Sequence, residues 1–232
     1  MQSPYPVLIF LLTGVAASIF LKKLTVTAAI TGAILGWLIY AGGGYRGLSL
    51  IVVFFILGTA ATSWKKKEKL SIRANAGHQS TRTTGQVIAN AGVAALAGLL
   101  AVLFPSRRDL LQLMMAGSMS AAMADTLSSE LGMVYGRRFY HILTWKPDEK
   151  GQDGVVSLEG LLIGIIGSSI IALIANDHFW VIVIAGTIGN LADSLLGAFF
   201  ERQGRLSNNT VNLLNTLIGA LTAGLLVLYT VG

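Results

Sequence analysis

The sequence contains no cysteine, which excludes disulfide staples, thiolate metal sites and a cysteine nucleophile. Charge is scarce as well. Asp, Glu, Lys and Arg supply 12% of 232 residues against 53% hydrophobic, too few to cover a water-exposed globular surface. Four prolines beside 27 glycines suit closely packed membrane helices and not a collagen-like or disordered chain. The three histidines, His78, His141 and His178, are scattered along the chain, so no imidazole metal cluster is expected. No basic region precedes the first apolar run and no clear small-residue cleavage site follows it, so no cleavable signal peptide is expected either.

What the chain does have is apolar runs of membrane-crossing length. They cover Pro6–Leu21, Val26–Ala41, Gly47–Trp64, Gln86–Phe104, Leu110–Met133, Val155–Ala175, Phe179–Phe200 and Val211–Tyr229. The expected fold is an all-α, polytopic transmembrane bundle of about eight spans, or as few as six if the short first two runs do not both cross. One integral membrane domain, 1–232, would divide into an N-terminal hairpin and third span (1–64), a basic cytoplasmic loop (65–85) and a motif-bearing catalytic core (86–232). Gly32/Gly36 and Gly160/Gly164 are spaced for close helix packing.

The net charge of +6 needs no nucleic acid to explain it. Numbering the connections alternately places fourteen of the seventeen Lys and Arg on one side, including Lys65, Lys66, Lys67, Lys69 and Arg73, and only Arg46, Arg107 and Arg108 on the other. The positive-inside rule makes the rich side cytoplasmic and both termini external. The Lys65 to Lys69 run is read as solvated, topogenic charge.

In that orientation the polar residues collect at cytoplasmic helix ends. Arg82, Gln86 and Asn90 recur every four residues on one face as the fourth span enters. The fifth span descends with Asp125, Thr126, Ser128, Ser129 and Glu130 in its inner half, although Glu130 points about 140° away from Asp125 on a straight helix. A glycine-rich, basic segment with Lys146, Lys150, Gly151, Asp153, Gly154 and Ser157 leads into the sixth span like a phosphate cradle. Asn190 and Asp193 share a face of the seventh span. Asn208, Asn209, Asn212 and Asn215 open the eighth, where buried amides are costly without partners. The block Ala124-Asp125-Thr126-Leu127 is echoed by Ala192-Asp193-Ser194-Leu195, the pattern expected of a duplicated helix pair formed by spans five and six and spans seven and eight.

Gln86-Val-Ile-Ala-Asn90, Ala124-Asp-Thr-Leu-Ser-Ser-Glu-Leu-Gly132, Lys150-Gly-Gln-Asp-Gly-Val-Val-Ser-Leu-Glu-Gly160, Gly189-Asn-Leu-Ala-Asp-Ser-Leu-Leu-Gly197 and Leu206-Ser-Asn-Asn-Thr-Val-Asn212 occur in that order. Together they resemble the integral membrane family that includes plant and cyanobacterial phytyl-phosphate kinases, and the resemblance runs over the whole chain. Leu127 and Asp153 depart from the residues usual there, Trp and a small or polar residue. The resemblance implies conversion of an isoprenyl monophosphate to the diphosphate by a nucleoside triphosphate, CTP among the candidates, at the cytoplasmic membrane face.

Phosphoryl transfer between polyanions needs charge neutralisation and in-line positioning. Asp125 and Asp193, with Glu130, are therefore expected to hold Mg²⁺, and Asn190 to act beside them. Arg82, Lys146 and Lys150 would bind phosphates, oriented by Gln86, Asn90, Ser129, Asn208, Asn209 and Asn212. The isoprenyl tail would lie between glycine-lined helices open to lipid. Two rival activities use similar groups: a CTP-dependent cytidylyltransferase on a lipid phosphate, and a small-molecule or ion transporter. The apolar outer halves of the spans speak against a transporter.

Overall fold

A computed structural model describes residues 4–72 and 81–231; Arg73 and His78 lie outside the described residues. Helix α1 (Tyr5–Phe20) leads through a short turn to α2 (Val26–Ser63), which starts where the Thr25 hydroxyl accepts the Ala28 N–H. Gly44 takes φ 61° and ψ −153°, backbone open essentially to glycine alone, and there the chain doubles back. Lys23, just before α2, donates from Nζ to Ser63 Oγ at its far end, 3.0 Å away. Phe55 of the second arm packs on Leu24, Ala28 and Ala29 beside the first. Each arm, 26–43 and 45–63, is about 27 Å long, close to the thickness of bilayer hydrocarbon.

Beyond α2 come the short α3 (Lys66–Ile72), then α4 (Thr84–Leu103) and α5 (Arg108–Tyr135). A two-stranded hairpin follows, β1 (Tyr140–His141) pairing antiparallel with β2 (Val155–Val156). Then α6 (Leu158–Ala175), α7 (Phe179–Leu196) with a π-helical extension (Gly197–Glu201), and α8 (Asn208–Val231) complete the bundle. The run expected to begin the sixth span at Val155 is thus strand first, and α6 starts only after Ser157, whose hydroxyl caps it by accepting the Gly160 N–H.

Among the described helices, α2, α4, α6, α7 with its extension, and α8 are long and apolar enough to cross a membrane. The apolar α1 has 16 residues. Helix α5 is long enough but more polar, and its place explains why: it packs against α2, α4, α6, α7 and α8, with Met115, Met119 and Met123 fully buried. A helix ringed by others can carry Ser118, Ser120 and Asp125 without showing them to lipid. Gly160 of α6 approaches Gly132 of α5 so closely that a Cβ on Gly132 would sit 2.9 Å from the Gly160 Cα.

The outer surface carries exposed Ile34, Ile56, Leu96, Leu162, Leu173 and Leu225, an apolar coat that water would not tolerate at this extent. Exposed Tyr5, Trp180 and Tyr229 ring one end of the bundle; Trp64, Tyr135 and Trp145 ring the other. Such paired aromatic girdles mark the two bilayer interfaces. The chain is a helical integral membrane protein.

The segments holding Lys23, Lys69, Arg82 and Arg202 meet at the Trp64 end. Arg82 N–H donates to Lys23 O (3.0 Å) and Thr25 N–H to Arg82 O (3.1 Å), stitching the entrance of α4 to the start of α2. At the other end, the Gly42 carbonyl accepts from Arg108 Nε (3.3 Å) and Gln112 Nε2 (2.7 Å).

Candidate functional site

At the basic end, helix termini surround a cavity of about 600 Å³. From α5 come Asp125, Ser129 and Glu130; from α7, Asn190 and Asp193; from the entrance of α4, Arg82, Gln86 and Asn90; from α8, Asn208, Asn209 and Asn212. Gly151, Asp153, Gly154 and Ser157 of the hairpin loop close it. Residues far apart in sequence meet here because their helices all end at this face.

Asp125 and Asp193 lie within hydrogen-bonding reach of each other, joining the two echoed sequence blocks. Asn215, fully buried one helical turn beyond Asn212, donates from Nδ2 to Asp193 Oδ1 at 3.4 Å. Asn190 is buried at the same level. Gln86 Oε1 accepts the Thr83 N–H (2.9 Å), closing the start of α4, and Asn90 Nδ2 donates to the Gln86 carbonyl (2.9 Å). Two of the expected phosphate ligands are therefore partly engaged in holding their own helix.

Glu130 does not join the aspartate pair. Its Oε2 accepts from Lys69 Nζ, which also donates to the carbonyls of Ala61 (2.7 Å) and Thr62 (2.9 Å). Lys69 is 4% exposed, so one lysine of the supposedly solvated run is a buried counter-ion. Glu130, expected as a metal ligand, lines the chamber and is held in an ion pair between α3 and α5. Nothing in the sequence separates Lys69 from Lys65, Lys66 and Lys67; only the fold of α3 under the bundle does.

Lys146 and Lys150 are exposed and do not line the cavity. The loop turns them outward because β1 and β2 pair and Gly151 (φ 86°) and Gly154 (φ 75°) reverse the backbone. Gly154 packs on the π-helical extension so tightly that a Cβ there would stand 2.3 Å from the Ala198 Cβ. Arg202 clamps the loop by donating from Nη1 to Asp148 Oδ2 at 2.6 Å. The expected phosphate cradle is thus a lid without its lysines.

The remaining cavity cation from these motifs is Arg82, partly buried, its guanidinium 5.7 Å from the Phe54 ring centroid. Burial lowers its pKa and the Glu130 carboxylate raises it in part, yet arginine stays cationic. Against it stand Asp125, Glu130, Asp153, Asp193 and Glu201 in the cavity wall. Glu201, Gln152 and Phe139, which also line the cavity, were not anticipated. Asp153, expected to help bind phosphate, lines the same cavity as Asp125 and Asp193.

Among the described residues, no three His, Cys, Asp or Glu side chains form a ready metal cage. Two carboxylates in contact, surrounded by asparagine amides, do match Mg²⁺, which takes one or two protein carboxylates and completes its shell from phosphate and water.

A helical membrane bundle with a carboxylate-rich polar chamber sunk into its basic end is the class of protein that fold and site define. The chain belongs to the family described as Integral membrane protein DUF92, which it matches over residues 8–220. It is 35% identical over 198 residues to Uncharacterized membrane protein MJ0933 of Methanocaldococcus jannaschii, covering 83% of this chain and 81% of that one. Protein VTE6, chloroplastic, of Arabidopsis thaliana is 30% identical over 226 residues, 92% of this chain and 65% of the plant protein, so the chain spans less than two thirds of that relative's length. Uncharacterized membrane protein sll0875 of Synechocystis is 31% identical over 199 residues, covering 82% of this chain and 77% of that one. No solved structure matches.

Proposed function

We propose that the protein is a Mg²⁺-dependent kinase that phosphorylates an isoprenyl monophosphate from a nucleoside triphosphate, working from the cytoplasmic face. One observation carries this: Asp125 and Asp193, from separate helices, touch inside a cavity whose wall is strongly acidic. Two phosphate groups would not enter such a chamber alone, because carboxylates and phosphates repel; bridged by a divalent cation they attract. Membership of a family that resembles the phytyl-phosphate kinases, with a chloroplastic plant relative, points the same way.

The acceptor monophosphate is already anionic at neutral pH, so no strong base is needed. One of its non-bridging oxygens attacks the γ-phosphorus of the nucleotide. The bond from that phosphorus to the β–γ bridging oxygen breaks, its electron pair leaves with the nucleoside diphosphate, and the lipid becomes a diphosphate. Mg²⁺, held at Asp125 and Asp193, would neutralise the phosphate oxygens as charge moves between them. Arg82 orients the acceptor phosphate, while Asn90, Asn208, Asn209 and Asn212 donate amide N–H groups to phosphate oxygens or metal-bound water. The loop from Gly151 to Gly154 covers the chamber and limits water, which would otherwise compete as acceptor.

Purified protein incubated with geranylgeranyl or phytyl monophosphate, Mg²⁺ and each of several nucleoside triphosphates tests the reading. Formation of the lipid diphosphate with stoichiometric nucleoside diphosphate supports it. A lipid-linked nucleotide with released pyrophosphate identifies the cytidylyltransferase instead. For a transporter, a route to the opposite end is required, and fully buried Met115, Met119, Met123, Ile171 and Ile182 fill the bundle beyond the chamber.

A further inference from the structure

A second cavity, of about 260 Å³, runs between α1, both arms of α2 and α4, and its walls are almost wholly apolar. Its polar lining residues are Ser18, Arg82, Gln86 and Asn90. The last three line the acidic chamber too, so the two cavities share a wall. Ser18 is satisfied within its own helix, donating to the Val15 carbonyl at 2.9 Å. The groove is therefore a hydrocarbon-like channel with a guanidinium at the end that meets the polar chamber.

Small residues keep it open. A Cβ on Gly14 would meet nothing within 4 Å, and one on Gly32 would find only Val87 Cγ1 at 3.8 Å. Gly36 is tighter, with Leu11 Cδ2 at 3.1 Å from an added Cβ. Gly32 and Gly36, expected to pack helix on helix, face Val87 of α4 and Leu11 of α1 and also line the groove. Helix α1, its outer wall, packs appreciably on α2 alone among the described elements, which leaves this side of the groove next to lipid.

We propose that this groove holds the hydrocarbon tail of the lipid monophosphate, with its phosphate at Arg82 and the chain running between α1 and α2 toward the opposite end of the bundle. The proposal rests on the kinase reading for the identity of the acceptor. Charge complementarity selects the occupant: an anionic headgroup is drawn to Arg82, an apolar chain fills the rest, and a single channel suits one prenyl chain better than two acyl tails. Gly14, Gly32 and Gly36 then decide how much chain is accommodated.

Two measurements on the full chain in nanodiscs test this. The first is the ratio of kcat/KM for geranylgeranyl monophosphate to that for dimethylallyl monophosphate, in wild type and Gly14→Phe. A side chain placed in that open space should lower the ratio about tenfold or more, because several methylenes lose their contacts. Gly32→Leu should lower it independently, in case the first variant fails to fold. An unchanged ratio in folded variants overturns the proposal.

The second uses geranylgeranyl monophosphate carrying a diazirine at its tail end. Label on peptides of α1 and the first arm of α2, displaced by excess unlabelled geranylgeranyl monophosphate and reduced in Gly14→Phe, supports the tail site even if no turnover is found, in which case only the kinase reading falls. Turnover with label confined to other helices overturns the groove and leaves the kinase reading standing. Displacement by phosphatidate in preference to the prenyl phosphate overturns the choice of occupant.

Discussion

Asp125 and Asp193 illustrate how much weight a single charge bears in a low-dielectric setting. Replacing either with Asn nearly preserves shape but removes one of the pair's two negative charges and turns an acceptor oxygen into an amide donor. Asp125→Asn and Asp193→Asn are each expected to reduce turnover by about a hundredfold or more. Folding should persist, since a neutral amide is easier to keep from water than a carboxylate. Activity assays alongside size-exclusion profiles check both halves, and wild-type turnover in either variant would remove the metal assignment. Lys146→Ala and Lys150→Ala, by contrast, should change activity less than about threefold, because these lysines point away from the chamber.

Lys69 and Glu130 make a second prediction at this scale. Their side chains are 4% and 10% exposed, so the buried lysine depends on the carboxylate that faces it. Lys69→Met alone takes a buried cation from the Glu130 carboxylate, which keeps only the field of Arg82, and should cost about 3 kcal/mol, whereas Lys69→Met with Glu130→Leu should recover most of it. Thermal unfolding in detergent around this double-mutant cycle provides the measurement. Equal losses in the single and double variants would mean that the pair is not the structural unit it is taken for.

At the scale of elements, the hairpin loop and the π-helical extension act as one lid. Gly154 combines a positive φ with contact at Ala198, so Gly154→Ala should push the loop away from the chamber and raise KM for both substrates more than it lowers kcat. The Asp148–Arg202 pair holds the same lid from its outer side. The hydrogen bond from Arg202, then that from the Glu149 N–H, holds the Asp148 carboxyl below its ordinary value. A depressed carboxylate contributes fully above the unfolded value of about 3.9 and fades as pH falls through its folded value, so this clamp stays closed from weakly acidic to alkaline pH. Activity between about pH 5 and 9 should therefore titrate identically in wild type and Arg202→Gln, with the variant lower throughout. A difference in profile confined to this window would show another group controlling the lid.

For the molecule as a whole, the sidedness of the bundle is the open quantity with the most direct test. Basic segments, the chamber and the Trp64, Tyr135 and Trp145 girdle share one end, which the positive-inside rule assigns to the cytoplasm, with both termini outside. The chain has no cysteine, so single-cysteine variants need no background removal. Lys67→Cys should react with an impermeant maleimide only after permeabilisation, and Arg107→Cys in intact cells. Reversed labelling would put the chamber on the outer face, away from cytoplasmic nucleotides.

Much of this protein was determined by its sequence alone. A chain poor in charge and rich in apolar runs must enter a bilayer, because nothing else hides so much hydrocarbon, and helices follow because lipid offers no partner for a free backbone N–H or C=O. Carboxylates and asparagines at helix ends announce a polar site for the same reason, and Asp125, Asp193, Asn190 and the α8 asparagines were legible on that ground. What one-dimensional pattern could not contain was which charge meets which: Lys69 reads like its neighbours until α3 tucks it against Glu130, and Lys146 and Lys150 read like phosphate ligands until the hairpin turns them out. The same holds for α5, whose polarity looks marginal for a membrane span until five helices surround it, and for Gly32 and Gly36, whose spacing signals packing but not that they also line a groove between α1, α2 and α4. Solvation sets the energy of a residue in isolation and can be read from its type. Pairing and enclosure depend on groups distant in the chain, and tertiary structure alone brings those together.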